Sequence, residues 1–139
     1  MGLVFWLFYG MKYVKIEGGR KLTSFIEPMK AQLTDQPAFD SPDWLFEIKW
    51  DGYRAIAEVG KSGNKLYSRN GLTFDKAYTK IFDGLKAIKR DAIIDGEIVV
   101  FDESGKPNFQ KLQNYQNRDK YAIQYFVFGI IELEGKSLT

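Results

Sequence analysis

Phe46 to Ala55 reads FEIKWDGYRA, and the reading of this stretch organises the rest of the chain. Glu47, Lys49 and Asp51 lie two residues apart, so an extended backbone would project them from one face and Phe46, Ile48 and Trp50 from the other. One face is then apolar and the other chemical. A lysine between two carboxylates, followed by Gly52 and Arg54, offers a nucleophile, acids for a metal's neighbourhood and a cation for phosphate or ribose. Trp44 to Lys49 and Tyr53 to Val59 are expected as the two strands of an antiparallel hairpin turning at Trp50, Asp51 and Gly52.

Outward from this stretch, composition narrows the chemistry. The 139 residues suit one domain or part of a larger one, and 45% hydrophobic and 16% aromatic residues are ample for a core. A net charge of +2 produces no strong overall field toward a polyanion, so a nucleic-acid partner would be met by a local patch. Cysteine and histidine are both absent, which excludes disulfides, thiolate chemistry, the usual zinc sites and histidine acid/base catalysis. Lysine, carboxylate, arginine, hydroxyl and an oxygen-bound metal remain.

Toward the N-terminus, Gly2 to Val14 is the most hydrophobic segment, yet its apolar run from Leu3 to Tyr9 is far shorter than the roughly 20 residues of a spanning helix. No basic region or small-residue cleavage site frames it, so a strand packed on the following domain or a remnant of a preceding one is favoured over an anchor. Lys15 to Ser24 reads as a linker around Gly18 and Gly19. The expected organisation is therefore a hydrophobic segment and linker over residues 1–24 and a domain over 25–139.

Toward the C-terminus, Pro28, Pro37 and Pro42 favour an extended entry with loops. Lys61 to Asn64 reads as a turn and Lys65 to Ser68 as a short strand. Ala77, Ile81, Leu85 and Ile88 at helical spacing predict a helix over Asp75 to Lys89, with Thr73 or Asp75 as its cap. Ala92 to Phe101 predicts a mostly buried strand interrupted by Asp95, Gly96 and Glu97. A short helix is expected from Phe109 to Tyr115, a strand from Tyr121 to Ile131, and a turn-like tail after Gly135. The fold class expected is α+β, an antiparallel β-sheet layered with helices.

Lys49-Trp50-Asp51-Gly52-Tyr53-Arg54 is similar to motif I, KxDGxR, of the covalent nucleotidyltransferases, which comprise ATP-dependent DNA ligases, RNA ligases and capping enzymes. Ser68-Arg69-Asn70-Gly71 resembles motif Ia, Asp95-Gly96-Glu97 motif III, and Tyr125-Phe126-Val127-Phe128 the start of motif IIIa, in the family's order. The strings FIEPMKAQL, FEIKWDGYR, LYSRNG and IIDGEIVVFD most closely resemble ATP-dependent DNA ligases, with the bacterial end-joining ligases nearest. The resemblance implies the N-terminal part of an ATP-grasp-like adenylation domain. It implies Lys49 as the nucleophile that takes AMP from ATP, Glu47 at the adenine amino group, Arg54 at the ribose, and Arg69 at the ribose or the 5′-phosphate of a nick. Glu97 would lie near ribose and metal, Asp51 near the metal, Phe128 against adenine, and Phe109, in a looser match, against DNA.

The same resemblance implies ATP and Mg²⁺, nicked or broken duplex DNA as substrate, no membrane, and a bacterial cytoplasmic setting. Phosphoesterase or polymerase modules, or a split C-terminal half, are the implied partners. The chain departs from the family at Gly129, where an Asp is usual, and motifs IV and V are not found before Thr139. A catalytically incomplete remnant that binds nucleotide or nucleic acid is therefore the alternative, and an RNA ligase or capping-type enzyme a lesser one. Simpler roles stay open for several residues. Arg69 and Asn70 suit an ordinary turn, Asp95 to Glu97 a β-bulge with exposed acids, Phe128 plain core, and the basic residues between Lys76 and Arg90 either a solvated helix face or a DNA contact.

Overall fold

In the computed structural model the described residues are 47–138, together with Ile26, Pro28, Asp40 and Pro42. The N-terminal segment and linker expected over 1–24, and the strand residues Trp44 to Phe46, lie outside them. Among the described residues five strands form one antiparallel sheet: β1 (Tyr53–Val59), β2 (Lys65–Ser68), β3 (Ala92–Phe101), β4 (Ala122–Leu133) and β5 (Lys136–Ser137). Their spatial order is β2-β1-β3-β4-β5, with helix α1 (Thr79–Leu85) between β2 and β3 in sequence and α2 (Phe109–Gln113) between β3 and β4. Among the described residues no helix is long and apolar enough to cross a membrane.

Alternation along the two central strands sorts their side chains by chemistry. Ala55, Ala57 and Val59 of β1 join Ala92, Ile94, Ile98 and Val100 of β3 in one buried cluster, and Ile81 and Leu85 of α1 and Leu112 of α2 pack into it. The opposite face carries Arg54, Ile56 and Glu58 from β1 and Asp95, Glu97 and Val99 from β3, paired across the strands as Arg54 with Glu97 and Ile56 with Asp95. Ile56 and Val99 are buried there too, so β3 is enclosed on both faces, as its apolar run implies.

Several expectations are corrected. Glu47 to Trp50 are not in a strand, because β1 already has β2 on one edge and β3 on the other and leaves no edge for a hairpin partner. The helix is shorter than Asp75 to Lys89. The Asp75 carboxylate accepts the Leu66 N–H at 2.7 Å and Phe74 N–H bonds Leu66 O, so residues before Tyr78 serve the edge of β2 rather than a helix cap. Past Gly84 the bonds tighten to three-residue spacing, from Lys86 N to Asp83 O and from Ala87 N to Gly84 O. Ile88 is exposed as a result.

The second helix ends at Gln113, capped at its start by the Asn108 side chain, which accepts the Lys111 N–H at 3.0 Å. The expected turn-like tail is instead a hairpin. Glu134 and Gly135, with φ of 50° and 80°, reverse the chain into β5, and Arg90 grips the Glu134 carboxylate through two bonds of 2.9 Å.

Candidate functional site

The site grows from the way Glu47 to Gly52 crosses the charged face of the sheet. Trp50 stacks on Phe126 of β4 with ring centroids 3.9 Å apart and planes 18° apart, and meets Phe101 edge-on at 6.3 Å. Phe126 is the direct cross-strand partner of Glu97. Two residues beyond Trp50, the Gly52 backbone packs against Glu97, where its N–H helps hold the carboxyl's pKa down. A Cβ at Gly52 would stand 2.1 Å from Ile98 O and 3.0 Å from Glu97 Cγ, so only glycine lets the backbone come this close to β3. Tyr53 then anchors the segment on the other face of the sheet, with its ring 5.3 Å from that of Phe109. Lys49 and Asp51 are left exposed between these fixed points.

Beneath the segment lies a compact charge constellation. Arg54 donates from Nε to Asp95 Oδ1 at 2.7 Å and from its terminal nitrogen to Oδ2, a two-pronged pair whose side chains are only 12% and 4% exposed. The Arg54 guanidinium also lies over the Phe128 ring, 4.7 Å from its centroid. Burial pushes the Glu97 carboxyl up to about 7, and neighbouring Asp95 adds to the rise. Arg54, the Gly52 N–H and Lys49 pull it the other way. A carboxyl poised near neutrality beside a lysine can exchange its proton or present an oxygen to a cation.

β4 reaches this face by being irregular. Asp95 pairs with Gly129 and Gly96 with Val127, leaving Phe128 as an extra residue in a bulge. That bulge keeps Phe128 beside Arg54 and 38% exposed, instead of burying it in the core. Gly129 fits because its position faces Asp95. A Cβ there would meet Asp95 Cβ at 3.6 Å, an ordinary contact, so sterics permit a side chain, but a carboxylate would sit beside one already committed to Arg54. Gly96 is required from the other side, where a Cβ would meet Phe126 O at 2.4 Å and Tyr125 Cε2 at 2.6 Å. The Tyr125 ring fills that space, and its hydroxyl donates to Ala55 O at 2.9 Å with Ile94 O 3.3 Å away.

Of the residues singled out from sequence, Arg54, Glu97 and Phe128 come together, and Lys49 is exposed on the neighbouring segment, near enough for its charge to act on Glu97. Arg54 and Phe128, expected to hold ribose and adenine separately, touch each other. Glu47 is half-buried at the start of the segment. Arg69 is exposed on the turn after β2, one residue past the Ala55–Ser68 pair and thus at the Arg54 end of the sheet. The turn is shaped by Ser68 Oγ, which accepts the Leu72 N–H at 3.1 Å, and by Gly71 at a φ of 78°. Asp51 is exposed, and among the described residues no three acidic side chains gather closely enough to hold a metal by themselves. Asp95, Trp50 and Phe126 stand within the quoted motifs but receive no role of their own from sequence. The signal for Asp95 was its place two residues before Glu97, on the same face of one strand.

Comparison with known proteins follows the same segments. The family described as ATP dependent DNA ligase domain matches residues 28–139. The multifunctional non-homologous end joining protein LigD of Mycobacterium bovis is 32% identical over 140 residues, covering 96% of this chain and 17% of that protein. The bifunctional non-homologous end joining protein LigD of Bacillus subtilis is 32% identical over 127 residues, covering 80% of this chain and 21% of that protein. The crystal structure of the ligase domain from M. tuberculosis LigD superposes with a TM-score of 0.59 at 30% identity, over 66% of this chain and 30% of that one. A mycobacterial DNA ligase D complexed with ATP and MES superposes with a TM-score of 0.57 at 30% identity, with the same coverage. The chain thus spans about a fifth of the length of these curated relatives.

Proposed function

The chain belongs to the ATP dependent DNA ligase domain family, and from that premise we propose that it is the N-terminal part of a covalent nucleotidyltransferase, an ATP-grasp-like adenylation fold, whose Lys49 takes AMP from ATP for sealing DNA breaks. The observation that supports this reading most is the convergence of Arg54, Glu97 and Phe128 on one sheet face beside the Lys49 segment, which is tied down by the Trp50 stack and by the close approach of Gly52 to β3.

In the proposed reaction the neutral Lys49 amine attacks the α-phosphorus of ATP. A P–N bond forms, the P–O bond to pyrophosphate breaks, and the amine loses its proton. AMP then passes to the 5′-phosphate of a nick or break, and a 3′-hydroxyl displaces it. All three steps are phosphoryl transfers, in which positioning and charge neutralisation lower the barrier.

Adenine is proposed to use the exposed face of Phe128, with Arg54 on the other. Arg54, oriented by Asp95, would then face the ribose, and Glu47 would accept from the adenine amino group. Arg69, at the same end of the sheet, suits a phosphate or ribose oxygen. Asp51 and Glu97 offer hard oxygen ligands that fit a Mg²⁺ bound mainly through substrate phosphates and water. Such an ion would neutralise charge on the transferring phosphate.

Duplex DNA with a nick or break is the proposed substrate, in the bacterial cytoplasm. Phosphoesterase or polymerase modules, or a separate C-terminal half, are the proposed partners. The relatives' names contain the words multifunctional and bifunctional. Incubation with α-labelled ATP and Mg²⁺ tests the reading. It expects a covalent label on the chain that Lys49→Ala abolishes and that unlabelled ATP competes away better than GTP. Absence of label at high protein concentration, or a clear GTP preference, would refute it.

A further inference from the structure

Lys49 sits in a segment that belongs to neither a helix nor a strand, yet its neighbours are held at defined points. Of the exposed or half-buried residues from Glu47 to Gly52, Trp50 has the large apolar side chain that is seated on the sheet. Its indole lies flat on Phe126 at 3.9 Å and is buttressed edge-on by Phe101, and Phe101 and Phe126 are themselves 6.0 Å apart. Ile48, the other apolar residue of the segment, is 66% exposed. Phe126 is the cross-strand neighbour of Glu97, so the indole fixes the chain beside that carboxylate, and two residues on Gly52 packs against it, where a Cβ would stand 3.0 Å from Glu97 Cγ.

We propose that Trp50 is the positioning residue of the site. By stacking on Phe126 it holds the Lys49 backbone over the charged face and keeps the Gly52 backbone packed against Glu97 and Ile98. Trp50 touches neither nucleotide nor DNA in this role; it acts through its neighbours. A segment without regular hydrogen bonds has many conformations open to it, and a stacked aromatic pair removes most of them. The catalytic half of this inference rests on the adenylation reading, whereas the clamp itself does not.

Amide hydrogen exchange on the full chain, with Trp50→Ala and Trp50→Phe beside the parent, tests the clamp directly. The Gly52 amide is expected to exchange about tenfold faster in Trp50→Ala and within about threefold of the parent in Trp50→Phe, while the amides of Ile98 to Val100 keep their protection. Unchanged Gly52 exchange in Trp50→Ala overturns the proposal. So does an equal loss at Gly52 and throughout β3, which would make Trp50 an ordinary stability residue.

Label uptake from ATP supplies the second arm. Trp50→Ala is expected to lower the rate at saturating ATP by about tenfold with half-saturation within about twofold, and Trp50→Phe to restore it. A rise in half-saturation alone, with the saturated rate kept, overturns the positioning role. If the parent takes no label, the adenylation reading fails by itself, and the Gly52 exchange still decides the clamp.

Discussion

The two faces of β3 make opposite uses of one strand. On one, Ile94, Ile98 and Val100 pack with β1 and both helices, and Tyr125 fills the space above Gly96. On the other, Asp95 and Glu97 are held among Arg54, Phe126 and Phe128 with little solvent. The first face gains free energy by removing apolar surface from water, at roughly 25 cal/mol per Å². The second gives some of it back by desolvating carboxylates, which is tolerable because the Arg54 fork meets Asp95 and its charge favours the ionised Glu97 as well. Stability and chemistry are thus separated by one residue's alternation, and the protein carries both because β3 lies in the middle of the sheet.

This contrast can be broken most sharply at Asp95. Asp95→Ala removes the two-pronged acceptor of the buried Arg54 guanidinium, and a loss of about 3–5 kcal/mol is expected in urea unfolding. A loss under about 1 kcal/mol would mean that solvent reaches the pair and that the face is less enclosed than described.

Gly96→Ala probes the opposite face of the same strand. Its methyl would strike the Phe126 carbonyl and the Tyr125 ring, and a cost of about 1–3 kcal/mol is expected. Combining it with Tyr125→Leu, whose side chain leaves the ring's space, should recover part of that cost. Strict additivity of the two changes would show that the ring does not set the requirement.

Glu97 carries no larger an effect, and the most informative one. Its carboxyl rises from 4.5 to about 7 on folding, so between these values the native state binds more protons than the unfolded chain. This contribution to stability is complete below pH 4.5 and is lost as pH climbs to 7. The rise corresponds to at most about 3 kcal/mol, and partial solvent contact brings the expected figure to about 2 kcal/mol. Unfolding followed from pH 4.5 to 8 should therefore show a decline that Glu97→Gln flattens. An identical slope in Glu97→Gln would assign the pH dependence to other groups, with Glu58 next because burial raises its carboxyl too.

Alternation and punctuation alone locate β1, β2, β3 and most of β4, and the ordered motifs mark Lys49, Arg54, Glu97 and Phe128. These features are legible because side-chain period and turn chemistry are local properties of the chain. Which strand edges are occupied is not local, and that is why Glu47 to Trp50 could be taken for a hairpin partner when β2 and β3 had already claimed β1. The length of α1 was likewise decided by Asp75 and Phe74 serving the edge of β2.

The same distinction governs the site. Sequence by itself determined that a lysine, two arginines and several carboxylates stand in a recognisable order along a mostly β chain. Only the tertiary structure decided that Arg54 spends its fork on Asp95, that a bulge turns Phe128 toward Arg54, and that Trp50 lies on Phe126. The reason is that pairing, register and stacking depend on residues dozens of positions apart, whose meeting is set by the free energy of the whole sheet and not by any single stretch.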